Sequence, residues 1–469
     1  MHIGRKDLLW NYAATSMRFL LGIIVMPITL RLFPSEEVGL WGIFTALIPL
    51  PSLLDFGFSN SFSRSITYIF SGVKELKTQG FAVAQNAEID YGLLKNLLSA
   101  VKRYYGMVSL IFLTIFAAVT PFYMPRVLHN FEGNTQTVWF AWFVLGGLLA
   151  YELYTYCYNA LLMGRGMVKR SMQITVLSQS VRIILTVTFL FCGLRLIALV
   201  LGMLAGDLLN RVLLRASFYD RETKKALALA TSGSVWGIIK TLAPNALKTG
   251  FVVLGNFVRT YVLFLITPFY LSLSEIGELD VSRKVISLIV NIGFAWFLTF
   301  YAKIAQYHVQ EDVAGVKRLY IKGKLALIAV FAVAGSGLLF FGSDFLRLIK
   351  SNTPLLCNGY LLIMLVFSFL EANQSMANHV FITKNQVPFY KADLISGFFS
   401  FVALMVMLYL TSWGVLNFIL ASGLIMCAYL NWKIPVAASK ELKMTTNDYK
   451  KQIEQLWKKS IFMTKSRTI

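Results

Sequence analysis

Charged residues are scarce in this sequence. Only 14% of its 469 residues are Asp, Glu, Lys or Arg, against roughly 25% in a soluble domain. Four cysteines and four histidines are scattered along the chain without forming a metal-binding cluster. No nucleotide-binding loop, nucleophile elbow or zinc-protease motif is present. We therefore expect no metal site, no cofactor and no enzymatic activity.

Apolar residues are abundant, at 57% of the chain with a mean hydropathy of +0.64. At roughly 20 residues per membrane helix, this length accommodates about twelve spans with little chain left for soluble domains. The sequence predicts an all-α polytopic membrane protein. The predicted spans cover 10–31, 39–62, 104–125, 137–160, 171–192, 196–218, 240–268, 276–302, 323–346, 355–383, 387–410 and 413–433.

The loops between these spans differ strongly in charge. Thirty-three Lys and Arg residues fall on the side that holds both termini, and five on the other. Positively charged loops stay in the cytoplasm, so both termini are predicted to be cytoplasmic. The net charge of +21 is then explained by topology and membrane lipids, and we expect no nucleic-acid partner. The loops at 32–38, 126–136, 193–195, 269–275, 347–354 and 411–412 are predicted to share the outer side.

A short internal repeat links the two halves of the chain. Residues 29–39 and 267–277 share Thr, Glu and Gly at identical spacing, 238 positions apart. The repeat predicts two six-helix lobes around a central cavity, where transporters bind their substrates. The predicted organisation is an N-terminal lobe at 1–218, a cytoplasmic linker at 219–236, a C-terminal lobe at 237–438 and a basic cytoplasmic tail at 439–469.

Ionisable residues inside spans are costly and usually face a cavity or pair with each other. Three cations, Arg18, Lys248 and Arg259, have no acidic residue three or four positions away. They lie on the first predicted helix of each half, and Lys248 and Arg259 are about three helical turns apart. We predict that they bind an anionic group in the cavity, with interhelical pairing or snorkelling as the alternative. Polar neighbours on the same sides complete the predicted substrate site: Asn11, Asn245 and Asn256.

Other charges have partners within reach, and local ion pairs are predicted for them. Asp280 precedes Arg283 and Lys284 by three and four residues, and Asp207 precedes Arg211 by four. Glu152 and Arg182 lie on adjacent predicted helices and are expected to pair across them. Asp55 and Glu371 are the candidates for ion coupling.

Two regions break the simple pattern of spans. Pro49, Pro51 and Gly57 interrupt the second helix, since proline removes a backbone donor and kinks a helix. The connection at 63–103 carries leucines at amphipathic spacing among basic residues. We predict a helix there that lies on the cytoplasmic membrane interface.

The segment Leu53-Leu54-Asp55-Phe56-Gly57-Phe58-Ser59-Asn60-Ser61, with Arg64 after it and Glu37-Val38-Gly39 and Trp41 before it, resembles the bacterial polysaccharide transport, or O-antigen flippase, family. That family belongs to the multidrug/oligosaccharidyl-lipid/polysaccharide exporter superfamily. The resemblance covers the chain in length, helix number and orientation, and its specific motif covers residues 29–64.

The resemblance implies a V-shaped cavity in a bacterial inner-membrane protein. It implies a substrate of undecaprenyl diphosphate carrying an oligosaccharide, flipped from the cytoplasmic to the periplasmic leaflet. In this family the first, second, seventh and eighth helices line the cavity and basic residues meet the diphosphate, a role that Arg18, Lys248 and Arg259 match by type and location. A polysaccharide polymerase and chain-length machinery are the further partners that it implies.

Two other functions remain open from the sequence. A multidrug exporter of the same fold would favour lone acids in the cavity to hold organic cations, and Arg18 with Arg259 argues against that function. A membrane glycosyltransferase or polymerase usually needs a sizeable soluble loop, and the outer loops here are short.

Overall fold

The computed structural model describes residues 5–74, 89–231, 235–384, 386, 388–445, 447–450, 452 and 454. Within these residues the regular structure is entirely helical. Eleven helices are long and apolar enough to cross a membrane, and a shorter apolar stretch, Val253–Phe269, falls where the seventh span is predicted. The predicted all-α membrane architecture is confirmed.

The chain divides into two compact units, of residues 1–277 with 349–353, and residues 278–348 with 354–469. The predicted lobes of six spans each, joined by the linker at 219–236, concern membrane topology and stay a prediction. The first unit contains α1 (Arg5–Leu32), α2 (Ser35–Leu47), α3 (Leu50–Leu54), α4 (Phe58–Phe70), α5 (Tyr91–Val127), α6 (Thr135–Thr155), α7 (Cys157–Gly164), α8 (Val168–Phe191), α9 (Arg195–Phe218), α10 (Arg221–Leu229), α11 (Val235–Phe257), a π-helical turn (Val258–Val262), α12 (Leu263–Leu265) and a 3₁₀ turn (Thr267–Phe269).

The second unit begins inside α13, whose first turn belongs to the first unit. Its core joins α13, α15, α17 and α20 around Phe297, Tyr320, Met376 and Ile434, all of which are fully buried. Its helices are α13 (Leu273–Thr299), α14 (Tyr301–Val309), α15 (Val313–Val330), a π-helical turn (Phe331–Gly335), α16 (Ser336–Leu348), α17 (Asn358–Ile382), α18 (Tyr390–Leu410), α19 (Val415–Ala428) and α20 (Leu430–Glu441).

The amphipathic segment predicted on the membrane interface is instead the first part of α5. Asp90 caps this helix by accepting a hydrogen bond from the backbone N–H of Leu93, and the helix then continues for 37 residues. Leu94, Leu97 and Val101 are buried in the core of the first unit. The prediction of a separate interfacial helix was wrong because an apolar stripe at helical spacing fits a protein core as well as a membrane surface.

Basic loops meet at one end of the first unit. Arg165, after α7, forms an ion pair with Asp220 at 2.7 Å and donates to the carbonyl of Phe218. Asp220 also caps α10 through the backbone N–H of Thr223. The hydrogen bonds from Thr223, followed by the charge of Arg165, lower the pKa of Asp220 to about 2. Lys95, at the start of α5, donates to the carbonyl of Ala230 after α10, so the loops predicted to be cytoplasmic lie at one end of this unit.

Candidate functional site

Four of the predicted outer loops meet at the other end of the first unit. Asn352 donates to the carbonyls of Arg31 and Phe33, and accepts a hydrogen bond from the Ser35 hydroxyl on its own carbonyl. Arg195 forms an ion pair with the buried Glu37 at 2.8 Å. The loops at 32–38, 193–195, 269–275 and 347–354 thus share one side, as predicted. That this side faces the outside of the cytoplasm stays a prediction.

The repeated segments contact each other at this end. A Cβ atom added to Gly39 would lie 2.0 Å from the carbonyl oxygen of Leu273, and one added to Gly277 would lie 2.5 Å from that of Ser35. The two helices start at equivalent positions of the repeat, because α2 begins at Ser35 and α13 at Leu273. Glycine at both positions lets the two backbones approach closely, since neither side has a side chain in the way.

The other repeated residues have equivalent surroundings. Thr29 and Thr267 are both buried, and each donates its hydroxyl to a backbone carbonyl four or three residues earlier, that of Val25 or Phe264. Val38 and Ile276 are likewise both buried. The two segments that are similar in sequence therefore also have similar local structure. They contact each other at the end of the first unit where the predicted outer loops lie.

Asp55 lies at a sharp corner between α3 and α4. It accepts hydrogen bonds from the backbone N–H and hydroxyl of Ser59, at 2.9 and 2.8 Å, and from the hydroxyl of Tyr105 on α5. The next two residues, Phe56 and Gly57, have positive φ angles of 51° and 79°. The carboxylate therefore holds the backbone where it turns out of the membrane span, as expected from the breaks predicted in this helix.

The side chain of Phe56 packs this corner against α11. A Cβ atom on Gly250 would lie 2.0 Å from the Phe56 ring, and the ring of Phe251 lies 6.2 Å away, edge to face. The left-handed conformation of a non-glycine residue such as Phe56 is uncommon and costs free energy. The motif behind the family resemblance thus forms a corner that packs against α11, the helix that carries Lys248 and leads into the turn with Arg259.

Removal of the Asp55 carboxylate should destabilise the protein. Asp55→Ala leaves the Ser59 and Tyr105 donors without an acceptor, and hydrogen bonds to a charged group contribute about 1.5–3 kcal/mol. We expect a lower midpoint of thermal unfolding in detergent and less folded protein in membranes, with a smaller loss for Tyr105→Phe. An unchanged unfolding midpoint together with lost transport would contradict this structural role and support ion coupling at Asp55.

Arg259 is the candidate substrate residue that the structure describes most fully. It is only 8% exposed and is the second residue of the π-helical turn Val258–Val262. Such turns are rare and often found at functional sites. Arg259 stands ten residues before the end of the apolar stretch at Phe269, which at about 1.5 Å per residue is roughly 15 Å, half the thickness of a bilayer core. Arg259 has an interaction partner, so the absence of a nearby acid in the sequence did not mean that this residue is isolated.

Among the remaining predicted site residues, the structure describes the side chains of two. Asn256 is exposed, one turn before Arg259, and Glu371 is exposed on α17 in the second unit. The others lie on described helices, but their side chains fall outside the described part of the chain: Asn11 and Arg18 on α1, and Asn245 and Lys248 on α11. Their roles stay predictions.

A half-buried group of charges joins α6, α8 and α9. Arg211 lies 3.7 Å from Glu152, and the positive charge of Arg182 acts on both Glu152 and Asp207. The stem of Arg182 packs against Gly206. Glu152 therefore forms its ion pair with Arg211. The sequence had predicted a pair with Arg182 instead. In α13, Asp280 pairs with Lys284, as predicted.

No potential metal site of three or more His, Cys, Asp or Glu side chains occurs among the described residues.

Solved structures of the same fold are transporters and flippases. The chain superimposes on an inward-facing multidrug resistance MATE family transporter of the MOP superfamily with a TM-score of 0.65 and 14% identity, covering 95% of this chain and 98% of that one. For the lipid II flippase MurJ in an inward closed conformation, the TM-score is 0.60 and the identity 14%, over 95% and 90% of the two chains. The MATE multidrug transporter DinF-BH gives a TM-score of 0.58 at 14% identity, over 94% and 96%.

No family model matches the chain, and no curated protein matches it. At this level of identity, the comparisons establish the fold, a polytopic bundle shared by MATE transporters and MurJ.

Proposed function

We propose that the protein is a flippase that moves an undecaprenyl-diphosphate-linked oligosaccharide from the cytoplasmic to the periplasmic leaflet by alternating access. One observation carries the proposal: Arg259 is a buried cation on a π-helical turn inside an apolar stretch of the chain. A buried cation in a span is costly and usually lies on a substrate pathway. Arginine binds phosphate oxygens through two parallel hydrogen bonds, so a diphosphate is a substrate group that suits this position.

The positions of the other candidate cations support the same proposal. Lys248 precedes Arg259 by eleven residues, about 16 Å along a helix, which puts it near the predicted cytoplasmic side. Arg18 stands fourteen residues before the outer end of α1 at Leu32, about 21 Å along that helix. In our proposal, the three cations offer binding positions at successive depths to a diphosphate that crosses the membrane.

The closed contact at the end with the predicted outer loops supports alternating access. Gly39 and Gly277 bring the first turns of α2 and α13 together there, and delivery to the outer leaflet requires that such a contact open. In our proposal, surface polysaccharide or O-antigen synthesis uses this cycle in the bacterial inner membrane, beside a polymerase and chain-length machinery.

Direct transfer in proteoliposomes tests the proposal. Purified protein should move a fluorescent undecaprenyl-diphosphate-linked sugar between leaflets, measured by quenching from one side. We expect the corresponding lipid with its diphosphate esterified to a neutral form to be transferred much more slowly. Equal transfer of both lipids, or none of either by folded protein, would overturn the assignment.

An ion gradient should drive this transfer, because the chain has no ATP-hydrolysis motif. We expect net transfer to fall to the level of empty vesicles when the proton and sodium gradients are both collapsed by ionophores. A rate unchanged by that treatment would remove ion coupling from the proposal while leaving the substrate assignment standing.

A multidrug exporter is the second candidate function. Two of the similar structures are described as multidrug transporters, and the exposed Glu371 on α17 is an acid that an organic cation would favour. The same proteoliposomes can be tested for export of a cationic dye. Export that is abolished by Glu371→Gln but unchanged by Arg259→Ala would favour this function.

A further inference from the structure

The cytoplasmic end predicted for the second unit contains a cavity that the proposed transport cycle does not use. It has a volume of about 350 Å³ and lies between α15 and α20. Three lysines line it, together with Ser439: Lys324 from α15, Lys440 from the last turn of α20, and Lys443 just after that helix. Val436 and Met444 supply an apolar wall. A cavity lined by three ammonium groups, a hydroxyl and apolar side chains suits an amphiphilic anion.

Nearby carboxylates are already engaged elsewhere. Asp448 forms an ion pair with Lys317 at 3.0 Å, and Glu441 forms one with Lys384. Across the part of the chain that the structure describes, no carboxylate lies within ion-pair distance of the three cavity lysines. Lys324 is half-buried, with its ammonium 5.7 Å from the centre of the Tyr449 ring. The cavity therefore concentrates positive charge that the described residues do not neutralise.

The surface leading to the cavity has the composition of a membrane interface. Trp432, Val436 and Lys440 are exposed and follow each other at intervals of four residues, so they form one strip along α20. Tryptophan is enriched near membrane–water interfaces, where its ring presents an apolar face to lipid, and lysine extends its ammonium group toward the water. The strip passes from an aromatic through an aliphatic side chain to the ammonium groups, an order that matches the acyl, glycerol and phosphate parts of a phospholipid.

We infer that this cavity binds the phosphate headgroup of an anionic phospholipid of the cytoplasmic leaflet. The phosphate accepts hydrogen bonds from Lys324, Lys440 and Lys443, and the acyl chains lie along Val436 and Trp432. The site is in the second unit, whereas the proposed transport site uses Arg259 in the first, so the lipid is a bound membrane component and not the transported substrate.

Lipid retention by the full-length protein tests this inference. Native mass spectrometry in detergent would count phosphatidylglycerol and phosphatidylcholine bound at matched concentrations. We expect preference for phosphatidylglycerol, and a roughly thirtyfold weaker affinity in Lys440→Gln/Lys443→Gln, since each of the two lysines near an anionic lipid contributes about 1 kcal/mol. Lys440→Arg/Lys443→Arg should retain the lipid because it keeps both charges.

The matched control is Lys224→Gln/Lys225→Gln, which removes two exposed charges from α10. It should bind phosphatidylglycerol within about twofold of the wild-type protein, since α10 lies outside the cavity. An equal loss in this control would overturn the inference in favour of general surface charge. No preference between the lipids, or unchanged binding in the glutamine variant, would overturn it as well. Displacement of the lipid by inorganic phosphate at similar concentration would assign the cavity to free phosphate instead.

Discussion

Gly39→Ala is expected to reduce transfer of the lipid-linked sugar by between about fivefold and a hundredfold, and Gly277→Ala to do the same. The new methyl group would lie 2.0 or 2.5 Å from a backbone carbonyl oxygen of the opposite segment, so no side chain can move aside to accommodate it. Overpacking of this kind costs about 1–3 kcal/mol, and about 1.4 kcal/mol changes a population tenfold. The closed outer contact would become rare, and the transport cycle that passes through it would slow. The proteoliposome assay measures the effect directly.

Gly147→Ala is the matched control for both glycine variants. Gly147 is exposed on α6, and a Cβ atom there meets nothing within 4 Å. The control should transfer lipid at the wild-type rate, because alanine is also a better helix former than glycine. Thermal unfolding of all three proteins separates a blocked cycle from a misfolded chain. Wild-type transfer by folded Gly39→Ala and Gly277→Ala would show that this contact plays no part in the cycle.

Arg259→Ala is expected to weaken transfer by between about tenfold and a hundredfold. The estimate follows from hydrogen bonds to charged groups, which contribute about 1.5–3 kcal/mol. Arg259→Lys should give an intermediate rate, because lysine keeps the charge but loses the planar fork that binds two phosphate oxygens. Complementation of a flippase-deficient strain at matched protein levels, followed by the proteoliposome assay, measures both.

Arg347→Ala is the control for the loss of an arginine. The Arg347 side chain is 83% exposed and lies 3.5 Å from Asp344, and exposed ion pairs contribute little. Its transfer rate should equal that of the wild type. Equal rates for Arg259→Ala and Arg347→Ala would remove the diphosphate-binding role from Arg259, and retained export of a cationic dye by Arg259→Ala would then favour the multidrug function.

The helical architecture was predictable because hydropathy and charge act over whole segments. Long apolar runs specify spans, and loop charge specifies which loops share a side, so the grouping of the loops around Asn352 and Glu37 followed without knowledge of any contact. Breaks in the second helix were predictable from single residues, since Pro49 and Gly57 act on their own backbone.

Contacts between distant segments were not predictable in the same way. The hydrogen bond from Tyr105 to Asp55 joins residues fifty positions apart, and neither residue type requires the other. The pairing of Glu152 with Arg211 instead of Arg182 depends on the rotation of each helix about its axis. The apolar periodicity of the sequence does not define that rotation closely enough to predict a particular ion pair. The π-helical turn at Arg259 has no signal in composition, because it arises from packing.

The repeat is an intermediate case. Matching glycines at 39 and 277 were visible in the sequence, and they indicated equivalent helices. Their mutual contact was not visible, since a sequence match does not say that two copies touch each other.

Because equivalent positions of the two copies meet face to face, a change in either copy alters one and the same contact. Selection therefore acts on both copies jointly at this place, whereas elsewhere each copy can accumulate substitutions independently. A duplicated chain whose halves have drifted apart should keep its ancestral similarity longest where the copies remain neighbours. In this chain the match between residues 29–39 and 267–277 lies at such a contact, which suggests looking for traces of duplication in other membrane proteins at the positions where their repeated segments adjoin.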